Sequence, residues 1–518
     1  MFSIPYNNIY SSKFILDFLN DDSSISSFIS TNNKIEDYKD LIATKNFSKE
    51  KRKVLVNTIS KQYTNTGISN PLNLNKLLDL NTYTVTTGHQ LCLFGGPQFF
   101  IHKIVSAIAL TKRLNKFYAE NYFIPVFWMA SEDHDFDEIS YVSFFNKEIN
   151  VKGDNNKPVG RIKTEYFLPA LEKLKEVFSN DSSGNRLISI FEEAFSKTYW
   201  SDCTRYWVDQ LFKEYGLIVV DADSKELKSS FSSTLELEIK QQFVFNKVSE
   251  TNKNLKQLGY SAKVNPREVN LFYLTNLKRE RIQFDGDVFN IADKKYSEHQ
   301  LIEMIKENPE NFSPNVLLRP LYQEAILPNV AYLGGPAEIQ YWAQLKSAFD
   351  CANIEFPKVL LRDSFGWIKK ADLDWWKSKG LSEIDLFLDY DKLVKKVILK
   401  DGDISIDVKN EIQSIRSKIS ILIKDNNPSL GSMFEGELTK FENAIQKIQS
   451  RLIKASKKND ELFYAKIRKI QESLIEKHVL NERKVGFIPF YTQMGEKYID
   501  QLIESANPFT NELKILSR

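Results

Sequence analysis

The fold is decided by the sequence YTVTTGHQ at residues 83–90, which is followed by Gly95-Gly96-Pro97. Its first residues are β-branched or aromatic, which predicts a short buried strand that ends at Gly88. The helical pattern after the glycines has an apolar stripe that consists of Ile101, Ile104, Val105 and Ile108. Pro97 suits the first position of that helix. A second apolar strand, IPVFWM at residues 124–129, follows. Together these segments predict a βαβ unit with parallel strands.

Two further apolar runs, at residues 216–221 and 356–362, are typical of buried parallel strands. The stretch 260–289 has an antiparallel pattern and is interpreted as an insertion. The chain is therefore predicted to be α/β, with a parallel-sheet core. The predicted division is a helical N-terminal arm (1–80) packing on the core, a catalytic core (81–380) with insertions at about 145–210 and 225–315, a helical coiled-coil domain (381–485) and a tail (486–518) that returns to the core.

The C-terminal part has the apolar spacing of an antiparallel two-helix coiled coil, broken at residues 425–428. The first helix carries Val408, Ile412, Ile415, Ile419 and Leu422, and the second carries Leu438, Phe441, Ile445, Ile448, Leu452 and Ala455. After a slip near Asn459 the pattern resumes and gives a second arm of ~45 residues, roughly 65 Å long. Such an arm either pairs with another subunit, which would give a homodimer, or buries its stripe only within the hairpin.

The composition limits the possible partners. The 518 residues carry a net charge of +2, which gives no reason to expect nucleic acid or an anionic membrane surface. No apolar run approaches the ~20 residues of a membrane span. The three cysteines form no CxxC pair, which fits a reducing compartment, and the N-terminus has no signal-peptide pattern. A cytoplasmic protein is expected.

The first candidate site is the glycine-rich turn after the first strand, where backbone N–H groups at a helix start favour phosphate or carboxylate. Its candidate binding residues are Thr86, Thr87, Gly88, Gln90, Gly95 and Gly96, with His89 as a candidate catalytic residue. The motif is neither a Walker A loop nor a dinucleotide fingerprint, so a plain turn between strand and helix is the alternative.

The second candidate is the acidic sequence EDHDFDE at residues 132–138, directly after the second strand. Crowded carboxylates at a strand end suit a general base, a Mg²⁺ site or a clamp for an ammonium group. The candidate catalytic residues are Glu132, Asp133, His134 and Asp135. The alternative is a solvated acidic loop.

The third candidate is the block at residues 318–342, which repeats the Gly-Gly-Pro start of a helix. Arg319 suits bidentate binding of carboxylate or phosphate. The other candidate binding residues are Gln323, Asn329, Gly334, Gly335 and Glu338. Glu338 would also be favoured in a first helical turn without any function. Tyr341 and Trp342 are interpreted as core residues.

These motifs, in this order, resemble the bacillithiol biosynthesis cysteine-adding enzymes, the BshC family. The resemblance rests on TTGHQ at residues 86–90 with Gly96-Pro97, PVFW at 125–128 leading to EDHD at 132–135, Arg319-Pro320 with Gln323, and GPAE at 335–338. It implies a Rossmann-like core with connecting-peptide insertions, a coiled coil that forms a dimer, and addition of cysteine to the amine of glucosaminyl malate. Many members of that family carry Gln at the position of His89, so the resemblance does not make His89 an essential acid.

ATP with Mg²⁺ is expected, because amide formation from a free carboxylate needs activation. Two alternatives stay open on the sequence. A nucleotidyltransferase or an aminoacyl-tRNA-synthetase-like enzyme can share such a core, although the chain has no basic tract for tRNA. A non-catalytic coiled-coil scaffold with a degenerate nucleotide fold is the second, and the polar residues at the strand ends argue against it.

Overall fold

The computed structural model of the chain describes residues 1–31, 34–145, 147–153, 157–178, 182–275, 278–400, 408–477 and 479–517. The chain forms two compact units. The first comprises Met1–Gly366 and Glu482–Ile515, and the second comprises Trp367–Asn481 and Leu516–Arg518.

The elements are numbered in chain order. The strands are β1 Phe2–Pro5, β2 Thr82–His89, β3 Tyr122–Met129, β4 Tyr141–Phe144, β5 Lys147–Asn150, β6 Ile218–Asp221, β7 Leu271–Leu274, β8 Arg279–Phe284, β9 Phe289–Ile291, β10 Lys294–Tyr296, β11 Phe312–Pro314, β12 Asn329–Gly334, β13 Lys358–Leu361, β14 Ser364–Ile368, β15 Ile475–Glu476, β16 Val479–Leu480 and β17 Glu512–Ser517. The helices are α1 Lys13–Leu19, α2 Tyr38–Thr44, α3 Lys49–Thr66, α4 Phe99–Phe117, α5 Phe136–Ile139, α6 Leu168–Phe178, α7 Ser182–Phe195, α8 Trp200–Phe212, α9 Lys225–Ser229, α10 Ser232–Gln241, α11 Phe243–Gln257, α12 Glu298–Glu307, α13 Arg319–Ile326, α14 Pro336–Trp342, α15 Lys346–Cys351, α16 Lys370–Ser378, α17 Tyr390–Lys400, α18 Lys409–Asn426, α19 Gly431–Asn459, α20 Glu461–Glu472, α21 Ile488–Met494 and α22 Lys497–Ser505.

The core of the first unit is a five-stranded parallel sheet with the order β13-β12-β2-β3-β6. The chain therefore builds one side of the sheet from β2 outward and returns to build the other side from β12. α4 packs on it, and Ala107, Leu110 and Leu114 of that helix share a buried cluster with strand residues Val85, Phe123 and Leu333. The predicted α/β fold class with a parallel-sheet core is confirmed.

The sequence analysis did not identify the central strand β12. Its six residues are all buried, and it pairs with both β2 and β13. Pro328 directly before it and Gly335-Pro336 directly after it favour turns. The short run between them contains the polar Asn329, so the sequence did not predict a strand there. Asn329 is nevertheless buried, because its side chain accepts hydrogen bonds from Thr84 and Thr86 of β2.

The antiparallel stretch is more extensive than expected. Five strands in the order β10-β9-β8-β7-β11 form one sheet, in which every pairing is antiparallel. β8 is the strand of this sheet that matters for the site, because Arg279 and Arg281 lie two residues apart and therefore project from the same face.

The helix after the glycine-rich turn does not start at Pro97, as predicted, but at Phe99 with Gln98 as its N-cap. Pro97 is held instead by an antiparallel bridge to Gly486 of the C-terminal segment. That segment belongs to the first unit, and its last strand β17 pairs with β1 at the other end of the chain.

In the second unit, α18 and α19 form the predicted hairpin, with the break at Asn427–Leu430. The predicted long second arm is interrupted, because α19 ends at Asn459 and Asp460 caps a separate helix, α20. Residues 401–407, which fall within the predicted coiled-coil domain, lie outside the described residues. The four predicted domain ranges stay predictions, and the boundary between the compact units follows Gly366. In the described part of the chain, no helix has both the length and the apolar character to span a membrane.

Candidate active site

A cavity of about 550 Å³ opens at the carboxyl ends of the central strands. The sheet order reverses between β12 and β2, and open parallel sheets bind ligands at such a reversal. Gly88, His89 and Gln90 reach the cavity from the end of β2, and Glu132 and Asp133 reach it from the loop after β3. Arg319 and Glu338 reach it from α13 and α14. The structure therefore brings seven predicted site residues together around one cavity.

The end of β2 is tightly packed. A Cβ at Gly88 would lie 3.2 Å from the carbonyl oxygen of Trp128, so a larger residue would displace the neighbouring strand. Lys103 of α4 donates a hydrogen bond to the Gly88 carbonyl at 2.7 Å. Burial, together with the charge of Lys103, lowers the pKa of His89 to about 3, so its imidazole is neutral near pH 7. His89 is thus suited to accept or donate a hydrogen bond, not to act as a cationic acid.

The carboxylates of the acidic loop after β3 contact different partners. Glu132 forms an ion pair with the buried Lys228. Asp133 pairs with Arg279 of β8 at 3.3 Å and accepts a hydrogen bond from Gln90 Nε2 at 2.9 Å. The same Gln90 nitrogen donates to Glu138 at 2.8 Å, so Gln90 joins two carboxylates at the cavity.

The titration of these carboxylates differs with their partners. Burial raises the pKa of Glu132, and Lys228 counteracts only part of that shift. Burial alone would raise the pKa of Asp133, but hydrogen bonds from His134 and the charge of Arg279 bring it below the usual range. Burial and the charges of Asp135 and Asp133 raise the pKa of Glu138. Glu138 is therefore the most basic of the carboxylates that Gln90 touches.

Two predicted catalytic residues of this loop have local structural contacts. His134 Nδ1 lies 3.1 Å from Arg279 Nη1. Asp135 is the N-cap of α5 and accepts a hydrogen bond from the backbone N–H of Glu138 at 3.1 Å. Neither of them is among the residues that line the cavity.

Arg319 of α13 is the most distinctive cation at the cavity. Its guanidinium donates to Gln323 Oε1 at 3.1 Å and to the Tyr341 hydroxyl at 3.3 Å. It lies over the rings of Trp128 and Tyr332, 5.9 and 5.7 Å from their centroids. Among the described residues no carboxylate forms an ion pair with it, so its charge is directed into the cavity without a protein counter-ion. Tyr341 and Trp342, interpreted from the sequence as core, are both buried, and Tyr341 also lines the cavity.

Glu338 has a specific role in addition to its position in a first helical turn. It accepts hydrogen bonds from Gly335 N at 2.8 Å and from Tyr332, and it forms an ion pair with Lys103 at 2.6 Å. Burial alone would raise its pKa, but Lys103 and these hydrogen bonds lower it to about 2. This ion pair joins α4, which follows β2, to α14, which follows β12.

The other predicted binding residues do not line the cavity and instead make contacts within the fold. Thr87 donates to the Leu333 carbonyl at 2.8 Å, and Thr86 donates to Asn329 at 2.7 Å. Gly95 and Gly96 have positive φ, and a Cβ at Gly96 would lie 2.9 Å from Cys92 Cβ. The predicted residues without a place on the cavity wall are Thr86, Thr87, Gly95, Gly96, Gln323, Asn329, Gly334 and Gly335.

Several cations of the site were not predicted. Lys103 lies in a helix for which the sequence predicted only the apolar stripe. Arg267, Arg279 and Arg281 come from the antiparallel insertion, and all three line the cavity. The spacing of Arg279 and Arg281 along one strand could have predicted two cations on the same face, since residues at i and i+2 share a face.

The acidic loop does not fit a magnesium site made by the protein alone. Among the described residues, no three His, Cys, Asp or Glu side chains converge in a way that could hold a metal ion. Glu132 and Asp133 are instead neutralised by Lys228 and Arg279.

Comparison with known proteins gives the family. The family model for the BshC N-terminal Rossmann-like domain matches residues 1–363, and that for the BshC C-terminal coiled-coil domain matches residues 367–518. The protein named "Putative cysteine ligase BshC" in Flavobacterium johnsoniae is 37% identical over 523 residues, which cover 98% of each chain. Its namesake in Christiangramia forsetii is 34% identical over 99% of this chain and 98% of the relative, and that in Bacillus cereus is 27% identical over 86% of each. The chain therefore belongs to the BshC family of bacillithiol biosynthesis and is, by that membership, a ligase.

Proposed function

We propose that the protein joins the carboxylate of L-cysteine to the amine of glucosaminyl malate through an amide bond. The names of its relatives support the cysteine part of this reaction. The observation that carries the proposal is the half-buried Arg319, whose guanidinium faces the cavity without a carboxylate partner among the described residues. A guanidinium in a cavity wall without a protein counter-ion is a strong site for a carboxylate, which both substrates carry.

The amine is proposed to bind on the opposite wall. Gln90 Nε2 is used by Asp133 and Glu138, whereas its Oε1 is buried and has no partner among the described residues. That oxygen and the two carboxylates form a set of acceptors suited to an ammonium group. On this proposal Glu138, whose pKa is raised, takes the proton that the amine must lose before its nitrogen attacks the acyl carbon.

Activation of the cysteine carboxylate is proposed to come from ATP, which supplies a leaving group on the acyl carbon. Gly88, His89 and the first turn of α4 at Phe99 line the cavity and would hold the phosphate. When the amine nitrogen bonds to the acyl carbon, the bond to the phosphate oxygen breaks. Lys103 and Arg319 stabilise the negative charge of the departing group.

The test is turnover by the purified protein with cysteine and glucosaminyl malate, followed by mass spectrometry with and without Mg-ATP. We expect the amide product only with Mg-ATP, together with AMP or ADP. Arg319→Met should lower kcat/KM by about 30- to 150-fold, since a charged hydrogen-bonded contact contributes about 2–3 kcal/mol. Arg186→Met, which removes an exposed ion pair with Glu496 in which neither residue lines the cavity, is the matched control and should leave turnover unchanged. Absence of product under every condition would refute the proposed reaction.

We further propose that the protein is a homodimer that works in the cytoplasm. Apolar side chains stay exposed on both helices of the hairpin, including Ile415, Leu422, Phe441 and Ile448. Within each helix the named pair is seven residues apart, which places it on one helical face and gives a stripe that a second copy can cover. The three cysteines are free thiols, which suits a reducing compartment.

A further inference from the structure

Behind Arg319 lies a buried polar network centred on Glu324. Glu324 Oε1 accepts a hydrogen bond from Gln323 Nε2 at 2.9 Å and another from Asn329 Nδ2 at 2.7 Å. Both amide side chains are fully buried, and Glu324 is almost fully buried. One carboxylate oxygen thus binds the amide nitrogens of two residues that sequence analysis had assigned to the ligand.

The carboxylate fixes which way each amide points. Burial raises the pKa of Glu324 to about 7, and a proton on Oε2 would still leave Oε1 as an acceptor. The nitrogen of each amide must therefore face Oε1, and its oxygen must face away. The Gln323 oxygen then accepts from Arg319 Nη1 at 3.1 Å. The Asn329 oxygen accepts from the hydroxyls of Thr84 and Thr86 at 3.1 and 2.7 Å.

The network therefore connects the two halves of the sheet to the cavity. Its Gln323 branch ends at the guanidinium that faces the cavity. Its Asn329 branch joins β12 to β2, the strand that carries Gly88, His89 and Gln90. If the Gln323 amide were reversed, its NH₂ group would face Arg319, two donors would oppose each other, and the guanidinium would lose its support.

The counter-ion of Glu324 comes from the N-terminal stretch. Lys45 Nζ lies 3.6 Å from Glu324 Oε2, and the side chain of Lys45 is 4% exposed. A buried carboxylate is retained at a cost, and its ion pair offsets only part of that cost. The ion pair is therefore weak evidence for a stabilising role, and the contacts of Glu324 Oε1 with two amides point to a role in orienting them.

We propose that Glu324 is a positioning residue, which orients the amides of Gln323 and Asn329 and thereby holds Arg319 in place to bind a substrate carboxylate. This inference rests on the proposed function for the identity of the ligand. It assigns Gln323 to the support of Arg319 and Asn329 to the pairing of β12 with β2, instead of to contact with the ligand.

The test compares Glu324→Met, which removes the acceptor, with Glu324→Gln, which keeps one acceptor oxygen for both amides. Crystal structures of each variant would show the Arg319 side chain, and calorimetric titration with glucosaminyl malate and with L-cysteine would measure binding. For Glu324→Met we expect a displaced Arg319 and at least tenfold weaker binding of the probe whose carboxylate it holds. For Glu324→Gln we expect Arg319 in its original position and binding within about threefold of the wild-type protein.

Gln323→Met provides a second route, because it breaks the link to Arg319 while the contact between Lys45 and Glu324 stays. Its matched control is Gln471→Met, which removes an equally buried glutamine that donates only to backbone carbonyls. We expect both glutamine variants to lose thermal stability and only Gln323→Met to lose affinity. An unmoved Arg319 with unchanged binding in Glu324→Met and Gln323→Met would overturn the inference. If the wild-type protein bound neither probe, the proposed function would fail, and the crystal structures would still decide whether Glu324 positions Arg319.

Discussion

Glu238 is a buried carboxylate outside the cavity, and its titration can be measured through stability. It accepts hydrogen bonds from Val244 N and from both nitrogens of Asn270, but burial still raises its pKa from 4.5 to about 7. The folded protein therefore binds a proton between those two pH values that the unfolded chain has released. Stability contributed by this group is complete below pH 4.5 and is lost as pH rises through 7, by about 3 kcal/mol in all.

We therefore predict that Glu238→Gln, which cannot ionise, becomes more stable relative to the wild-type protein as the pH rises. The measurement is the melting temperature of both proteins from pH 5 to pH 8. The difference, variant minus wild type, should increase from pH 5 to about pH 7 and level off above it, because other titrating groups contribute equally to both proteins. A difference that is constant with pH would show that Glu238 does not titrate in this window.

At the level of single residues, proximity in sequence decided what could be predicted. Gly88, Glu132 and Asp133 directly follow strands, and a strand end marks the ligand edge of a parallel sheet, so their position was accessible. Arg279 lies in an insertion, and only folding brings it within 3.3 Å of Asp133. Gln323 looked like a ligand contact because the sequence does not show that the neighbouring Glu324 binds its amide.

At the level of elements, the C-terminal return segment is predicted to be intolerant of any side chain at Gly486. A Cβ there would lie 2.8 Å from Val142 Cγ2 and 3.1 Å from the Gly96 carbonyl oxygen. Gly486 also donates to the Ser143 carbonyl at 2.8 Å, so the backbone cannot simply move away. Gly486→Ala should lower the free energy of unfolding by about 1–3 kcal/mol.

The matched control is Gly436→Ala in α19, where nothing lies within 4 Å of the added Cβ. Alanine is favoured over glycine inside a helix, so this variant should be stabilised by about 0.5–1 kcal/mol. Urea unfolding of both variants measures the two changes. Equal changes in the free energy of unfolding for the two variants would mean that the structure accommodates a Cβ at Gly486 without cost.

The bounds of elements were predictable where the local signal was strong. The helix stripe at Ile101 to Ile108 was accessible because apolar periodicity is a local property. The start of α4 was not, since Pro97 is held by Gly486, which is distant in sequence. The contact with Gly486 thus keeps Pro97 outside the helix, although proline is favourable at the first position of a helix.

For the whole molecule, the arrangement of the site depends on one strand that the sequence did not reveal. β12 lies beside β2, and this pairing places the loop after β12 against the turn after β2. The two separate Gly-Gly-Pro motifs each predicted the start of a helix. In the structure only the second precedes a helix directly, and Lys103 of α4 meets Glu338 of α14 across the reversal of the sheet.

The proposed homodimer gives the prediction for the whole molecule. Phe441 and Ile448 of α19 are 48% and 50% exposed, although their spacing of seven places them on one helical face. Water-exposed apolar side chains at this spacing are stabilised by a second helical surface, and we expect sedimentation to show a dimer. The pair of changes Phe441→Glu and Ile448→Glu should give a monomer, because two carboxylates would be buried without partners in the interface.

Leu462→Glu is the control, since Leu462 is 87% exposed in α20 and does not belong to the stripe on α19. It adds one negative charge to the same unit and should leave the dimer intact. A monomeric wild-type protein, or a double variant that stays dimeric, would exclude this stripe as the interface. Turnover by a monomeric double variant would further show that each cavity works alone.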